Sequence, residues 1–365
     1  MTSLQTTRPY FEGLNALRFF AALAVFLVHQ APNSDSLVDK NTLSFQILSS
    51  FFWKNLPVGV DLFFIISGFL ITFLLLHEKK TTGKIDFLGF YTRRALRIFP
   101  LYFLLVGIAF LQYRITNPET DFLSYSFFVG NFALIKAHTW PVSLLIPLWS
   151  LSIEEHFYLV VPFFIQWLSP KKLAFFVGFL FLISIGFRAY TFFSNPTPFF
   201  VLYAHTLSRC DELLMGCLLA LGQFYRPFRL KKAFFFAIFA LTLLFIALNS
   251  IEMSDYSTFF KAVFKKYLVL IPLIAFFTFF LIGESHVLTK IKQAKSLDYL
   301  GKISYGLYMY HFAVGNLLLG ATNLIPINYW VAKVLINLSA TVIVASLSYE
   351  LVEKRILKLV PNPSH

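Results

Sequence analysis

An all-helical, polytopic integral membrane protein is the fold class this sequence predicts, and three observations carry the prediction. Apolar residues fill 58% of the 365 positions and charged ones only 13%, with 47 phenylalanines among them, a balance unlike that of soluble domains. Mean hydropathy is +0.70. The apolar residues fall in runs long enough to cross a bilayer, since about 20 residues at 1.5 Å each cover a hydrocarbon core of roughly 30 Å. The basic residues gather in the short segments between the runs, as orientation in a membrane requires.

Spans are expected near 13–30, 57–77, 98–113, 148–168, 173–193, 206–223, 231–250, 264–282, 300–320 and 328–349, about ten in all. Residues 122–137 form a weaker segment, interrupted by Gly130 and Asn131, and read as a short re-entrant or interfacial helix. Alternating spans with the N terminus inside place about 20 of the 31 basic residues on one face. The positive-inside rule makes that face cytoplasmic, with both termini on it. The cluster Lys261, Lys265 and Lys266 goes against this assignment.

Neither repeats nor a soluble appendage are visible, so residues 1–365 are expected to form a single transmembrane domain with helices over about 13–353. Residues 1–12 hold no apolar run before a small-residue cleavage site, so the first span is expected to stay. Net charge is +13, but the position of the basic residues in loops assigns them to orientation and argues against nucleic acid. Cys210 and Cys217 lie two turns apart on one apolar face and imply neither a disulfide nor a metal site.

The first span, GLNALRFFAALAVFLVHQ, carries Arg18 and His29. Eleven positions are nearly three whole turns, so both project from one face, about 16 Å apart. Ionisable groups inside a span are costly and mark functional sites by default. A snorkelling arginine with a histidine at headgroup level is the plainer alternative.

Depth sorts the other polar residues. His29, Asp61, Glu154, Glu155, Arg209, Asp211 and Glu212 all fall in the outer third of their spans and are expected to meet in a common cavity. There His29 is suited to general-base work, with a carboxylate on its second nitrogen fixing the tautomer. Ser150, Glu154 and Tyr158 follow at i, i+4 and i+8 as one polar stripe, which favours Glu154 over Glu155 as the inward acid. Arg209 with Asp211 reads equally as a structural ion pair. On the cytoplasmic side, FYTRRALRIFP puts Arg94 and Arg97 three apart at the start of the third span. Two planar guanidiniums beside a helix N terminus suit a phosphate, and two arginines flanking a span suit topology alone. Arg18 is placed to join them.

Five stretches in order, GLNALRFFAALAVFLVH, PVGVDLFFIISGFLIT, FYTRRALRIFP, LWSLSIEEHFYLVVP and ISYGLYMYH, resemble the motifs of the membrane acyltransferase-3 family. These are bacterial O-acyltransferases of surface sugars, lipids and secondary metabolites. The match runs from residue 10 to about 355. The resemblance implies an enzyme of the bacterial inner membrane. It would take an acyl group, acetyl or similar, from cytoplasmic acyl-CoA and pass it to a hydroxyl of a cell-surface or lipid-linked carbohydrate, with no bound cofactor and no metal. It implies His29 as the catalytic histidine, Arg18 as an essential arginine, and Arg94 and Arg97 as the pair on the CoA phosphates. Glu154 matches the first acid of the family's tryptophan-serine-leucine motif. Asp61 joins His29 and Glu154 as a catalytic candidate, and Ser150, Tyr158, Arg209, Asp211 and His311 are candidates for substrate binding.

Some positions depart from the family pattern. Asn15 and Ala16 stand where Asp-Gly is frequent, and Arg355 where proline is common. The sequence ends at His365 without the extracellular esterase-like domain of some relatives, so transfer is expected to finish in the membrane domain or on a separate extracytoplasmic transferase. The rival function is a transporter or flippase of a lipid-linked sugar, which buried Arg and Glu also suit; no inverted repeat supports it.

Overall fold

A computed structural model describes residues 9–30, 56–227, 258–283, 286–323 and 330–359. Their regular structure is entirely helical. The span expected at 231–250 lies outside the described residues. Six helices among them are long and apolar enough to cross a membrane: Val58–Thr82, Phe87–Tyr113, Ser143–Trp167, Pro170–Ser194, Phe259–Ile282 and Val331–Leu357. This is a polytopic all-helical protein. The first apolar helix, α1 (Leu14–Gln30), is shorter at 17 residues.

The chain continues through α2 (Val58–Thr82), α3 (Phe87–Tyr113), α4 (Phe122–Ser126), α5 (Gly130–Ala137), α6 (Leu148–Trp167) and α7 (Pro170–Ser194). Then come α8 (Phe199–Ala204), α9 (Thr206–Tyr225), α10 (Phe259–Val263), α11 (Lys265–Ile282) and α12 (His286–Gln293). The remainder is α13 (Lys295–Lys302), α14 (Ser304–Asn323), α15 (Trp330–Ser348), a π-helical turn at Tyr349–Glu353 and α16 (Lys354–Leu357).

Helix α3 starts well before the apolar run that predicts it. Asp86 accepts the backbone N–H of Gly89 as an N-cap, and Phe87 opens the helix, so Pro100 is inside it. Arg94 and Arg97 therefore stand on the second and third turns rather than at the helix N terminus. The sequence reading placed the boundary at the edge of the apolar residues; the cap decides it.

The weak segment 122–137 folds as α4 and α5, neither long enough to cross. Between them Phe128 takes a left-handed backbone at φ 57°, unusual for a bulky residue. Its ring stacks on Tyr102 at 4.1 Å between centroids. Buried Asn131 then donates to the carbonyl of Ala204 and to Thr206, 3.1 Å each, fastening α5 to the start of α9.

Among the described residues the most extensive helix pair is α2 with α9. Gly68 and Gly216 face each other across it, and a methyl group on Gly216 would come within 2.6 Å of the Phe69 nitrogen and 3.0 Å of the Gly68 carbonyl carbon. Small residues let membrane helices approach backbone to backbone, where van der Waals packing holds them. Around this seam Phe64, Ile65, Ile66 and Phe69 are buried. Gly59 near the start of α2 lies against Ala21 and Val25, the middle of α1. Helix α2 thus begins well below the His29 end of α1. The outward faces are apolar: Phe175, Phe179, Leu182 and Phe193 of α7 are exposed, as a lipid-facing surface requires. Gly216→Ala is expected to cost about 1–3 kcal/mol by forcing α2 and α9 apart, read as a lowered midpoint in detergent thermal unfolding; an unchanged midpoint would show the seam to be loose.

Candidate active site

Five helices, α1, α2, α3, α6 and α14, line one cavity. Arg18 of α1 and Arg94 and Arg97 of α3 line it, opposite Glu154 and Tyr158 of α6. Ser67 of α2 donates to one oxygen of Glu154 at 3.0 Å, and Tyr158 donates to the other at 2.9 Å. Two hydroxyl donors on one carboxylate leave it an acceptor. The guanidinium of Arg94 lies 5.8 Å from the Tyr158 ring centre and 5.8 Å from that of Phe90, a cation–π geometry that restricts the side chain.

The stripe Ser150–Glu154–Tyr158 lines the cavity along its whole length. At the end away from Tyr158, Ser150 and Tyr308 share a hydroxyl–hydroxyl bond of 2.6 Å, and both oxygens lie within 3.2 Å of the Pro147 carbonyl. Of their two protons, one joins the pair and the other goes to Pro147. Neither is left for a developing oxyanion.

Tyr308 leads on to the histidines. Its backbone carbonyl is 2.6 Å from Nδ1 of His311, whose Nε2 is 3.0 Å from Nδ1 of His29. His311 is buried at 2% exposure, and His29 is exposed at the end of α1. Phe312 packs on His29 with ring centroids 4.6 Å apart.

The single outer cavity expected from depth is not what forms. Glu154 meets the arginines of the cytoplasmic motif and the first helix, whereas Asp61, Arg209, Asp211 and Glu212 gather elsewhere. Asp61 pairs with Arg209 at 2.6 Å, and Arg209 reaches Glu212 at 3.2 Å. The ammonium of Lys266 of α11 lies 2.8 Å from Glu212 as an ion pair and donates to Asp211, which also accepts from Tyr267 at 2.8 Å. The aromatic rings of Phe64, Trp149 and Tyr203 surround the Arg209 guanidinium at 5.6–5.8 Å. Neither Asp61 nor Glu154 is bonded to His29; His311 takes the position expected for a carboxylate. The reason is that the helices do not start at one level, since Gly59 of α2 lies beside Ala21 of α1, so counting turns from each span end misjudges depth.

Two further residues find their partners here. Lys266, one of the cations that contradicted the charge rule, is buried against two acids. Its setting in an apolar run is the sequence signal that marks it. Asn15, standing where the family often has an acid, donates to Asp298 of α13 at 2.8 Å, and Lys302 bonds to the same carboxylate at 2.6 Å. Partial burial raises the pKa of Asp298, and the hydrogen bonds from Lys302, Asn15 and Tyr10 with the Lys302 charge outweigh it and hold the carboxyl below its ordinary range. Tyr308, Tyr305 and Ser304, unremarkable as aromatic and hydroxyl residues of an apolar helix, complete the cavity wall. Among the described residues no group of three or more His, Cys, Asp or Glu is arranged to hold a metal ion.

Three arginines and a hydroxyl-bonded Glu154 line this cavity, and Tyr308 in its wall leads to the histidine pair. A family profile described as an acyltransferase domain matches residues 11–349, and the chain belongs to this acyltransferase-3 family. It is similar to the O-acetyltransferase OatA of Staphylococcus aureus strain NCTC 8325, at 30% identity over 96% of this chain and 57% of the relative. It is similar also to the peptidoglycan O-acetyltransferase OatA of Listeria monocytogenes, at 28% over 96% and 56%. A putative O-acetyltransferase of S. aureus strain COL is 32% identical over 94% and 57%. The chain spans a little over half the length of these relatives. No solved structure matches it.

Lys266→Met is expected to remove the cation shared by Asp211 and Glu212 and to cost about 3–5 kcal/mol. Lys302→Met, at a half-exposed pair, is expected to cost about 0–1 kcal/mol. Equal midpoints for the two variants in detergent unfolding would show the buried cluster to be of no structural weight.

Proposed function

We propose that this protein is a multi-pass O-acyltransferase of the bacterial cytoplasmic membrane with both termini cytoplasmic. In this reading it moves an acetyl or similar acyl group from cytoplasmic acyl-CoA to a hydroxyl of a cell-surface or lipid-linked carbohydrate. The observation that carries the reading is the convergence of Arg18, Arg94 and Arg97 from two helices on one cavity. Three guanidiniums directed at one cavity suit the phosphates of a CoA, which their planar forks of donors can grip. The names of the relatives favour a peptidoglycan-type sugar as acceptor.

The donor phosphates dock at the arginines and the pantetheine arm runs along the Ser150–Glu154–Tyr158 stripe toward Tyr308. His29 takes the proton of the acceptor hydroxyl as its oxygen attacks the thioester carbonyl. The tetrahedral intermediate collapses, the carbon–sulfur bond breaks, and the proton passes to the leaving thiolate as free CoA departs. Acyl transfer then ends on the sugar or on a separate extracytoplasmic transferase. An acyl–His29 intermediate is the alternative course, and labelled acyl group trapped on the protein would reveal it.

Acetyl-CoA is expected to bind the purified protein saturably, and Arg94→Ala/Arg97→Ala to weaken it about tenfold or more, since each charge-assisted contact contributes about 1.5–3 kcal/mol. Dephospho-CoA should compete poorly. No binding, with the variant like wild type, would reduce these arginines to topology markers and put the sugar-carrier reading in front. His29→Ala is expected to keep acetyl-CoA affinity while transfer to peptidoglycan fragments falls by about 10²–10⁴-fold; retained turnover would remove His29 from the chemistry.

A further inference from the structure

We propose that His311 is the positioning residue that fixes the tautomer of His29, holding its proton on Nδ1 so that Nε2 is the free nitrogen that receives the acceptor's proton. The proposal rests on the reading of His29 as the base. Its evidence is the direction of a short hydrogen-bond chain. The carbonyl of Tyr308 only accepts, so the 2.6 Å contact requires the proton of His311 on Nδ1. A ring at 2% exposure with no carboxylate bonded to it among the described residues is neutral, because a buried unpaired cation is costly. Nε2 of His311 therefore carries a lone pair. The 3.0 Å contact then requires the proton of His29 on Nδ1. What remains is Nε2 of His29.

The arrangement does for His29 what a carboxylate does in hydrolase triads, without adding a negative charge inside the bundle. His311 orients the ring and stays bonded to Nδ1–H when Nε2 gains a proton. Near-parallel ring planes, 27° apart with centroids at 4.9 Å, and the packing of Phe312 on both rings hold the pair in register. The anchor of the chain is Tyr308, whose hydroxyl is tied to Ser150 in the cavity wall. One residue therefore joins the donor cavity to the base. His311 is in this account neither a base nor a ligand of the substrate.

The test is ¹⁵N NMR of the full-length protein labelled at histidine, in detergent, with the His29 signal identified by its loss in His29→Ala. Wild type is expected to show His29 protonated on Nδ1. In His311→Phe the proton should shift to Nε2, the form a neutral imidazole favours in water. In His311→Gln, whose amide oxygen can replace the acceptor nitrogen, it should stay on Nδ1. Alongside, His311→Phe should lower transfer to peptidoglycan fragments about 10²-fold or more with acetyl-CoA affinity unchanged, and His311→Gln should restore a large part. A wild-type His29 protonated on Nε2 overturns the proposal, and this measurement stands even where His311→Phe fails to fold. So does a His29 tautomer unmoved in His311→Phe. The tautomer readout needs no acyl donor, so a protein that binds no acetyl-CoA would sink the functional reading and leave this result to be judged on its own.

Discussion

A charge carried into a helix bundle inside a bilayer must find its counterpart there, because there is no water to solvate it. That constraint organises the whole protein, and α2 is where it acts. One side of this helix offers Asp61 to Arg209. Another side offers Ser67 to Glu154 and lines the cavity with Val60, Phe63 and Phe64. A single helix thus serves both sets of charges. The backbone contact at Gly68 and Gly216 holds α9 against it and keeps both sets in place.

The two sets differ in their surroundings. Around Asp61, Arg209, Asp211, Glu212, Lys266 and Tyr267 each acid meets a base or a hydroxyl at bonding distance, and aromatic rings cover the arginine. This is the pattern of a structural network, expensive to form and more expensive to break. In the cavity three arginines face Glu154, whose carboxylate accepts from two hydroxyls. Guanidiniums gathered on one cavity suit an anionic ligand.

The histidine pair shows how a site is tuned in such surroundings. A carboxylate beside His29 would be one more buried anion needing compensation. A backbone carbonyl and a neutral imidazole perform the same orienting task through dipoles and lone pairs alone. The Tyr308 hydroxyl, shared with Ser150, ties that device to the cavity.

The sequence by itself determined the membrane class, the family and most of the residues that face the cavity. Apolar runs of bilayer length, a polar stripe at i, i+4, i+8 and two arginines three apart are local periodicities, and a helix converts them directly into faces. Tertiary structure alone decided which faces meet. The offset of α2 against α1 joined Glu154 to the arginines and not to His29, sent Asp61 to Arg209, and brought His311 across 282 positions to His29. Vertical offset between helices is set by where their small residues let the backbones touch, as Gly59, Gly68 and Gly216 do here, and no pattern within one helix encodes the level of its neighbour.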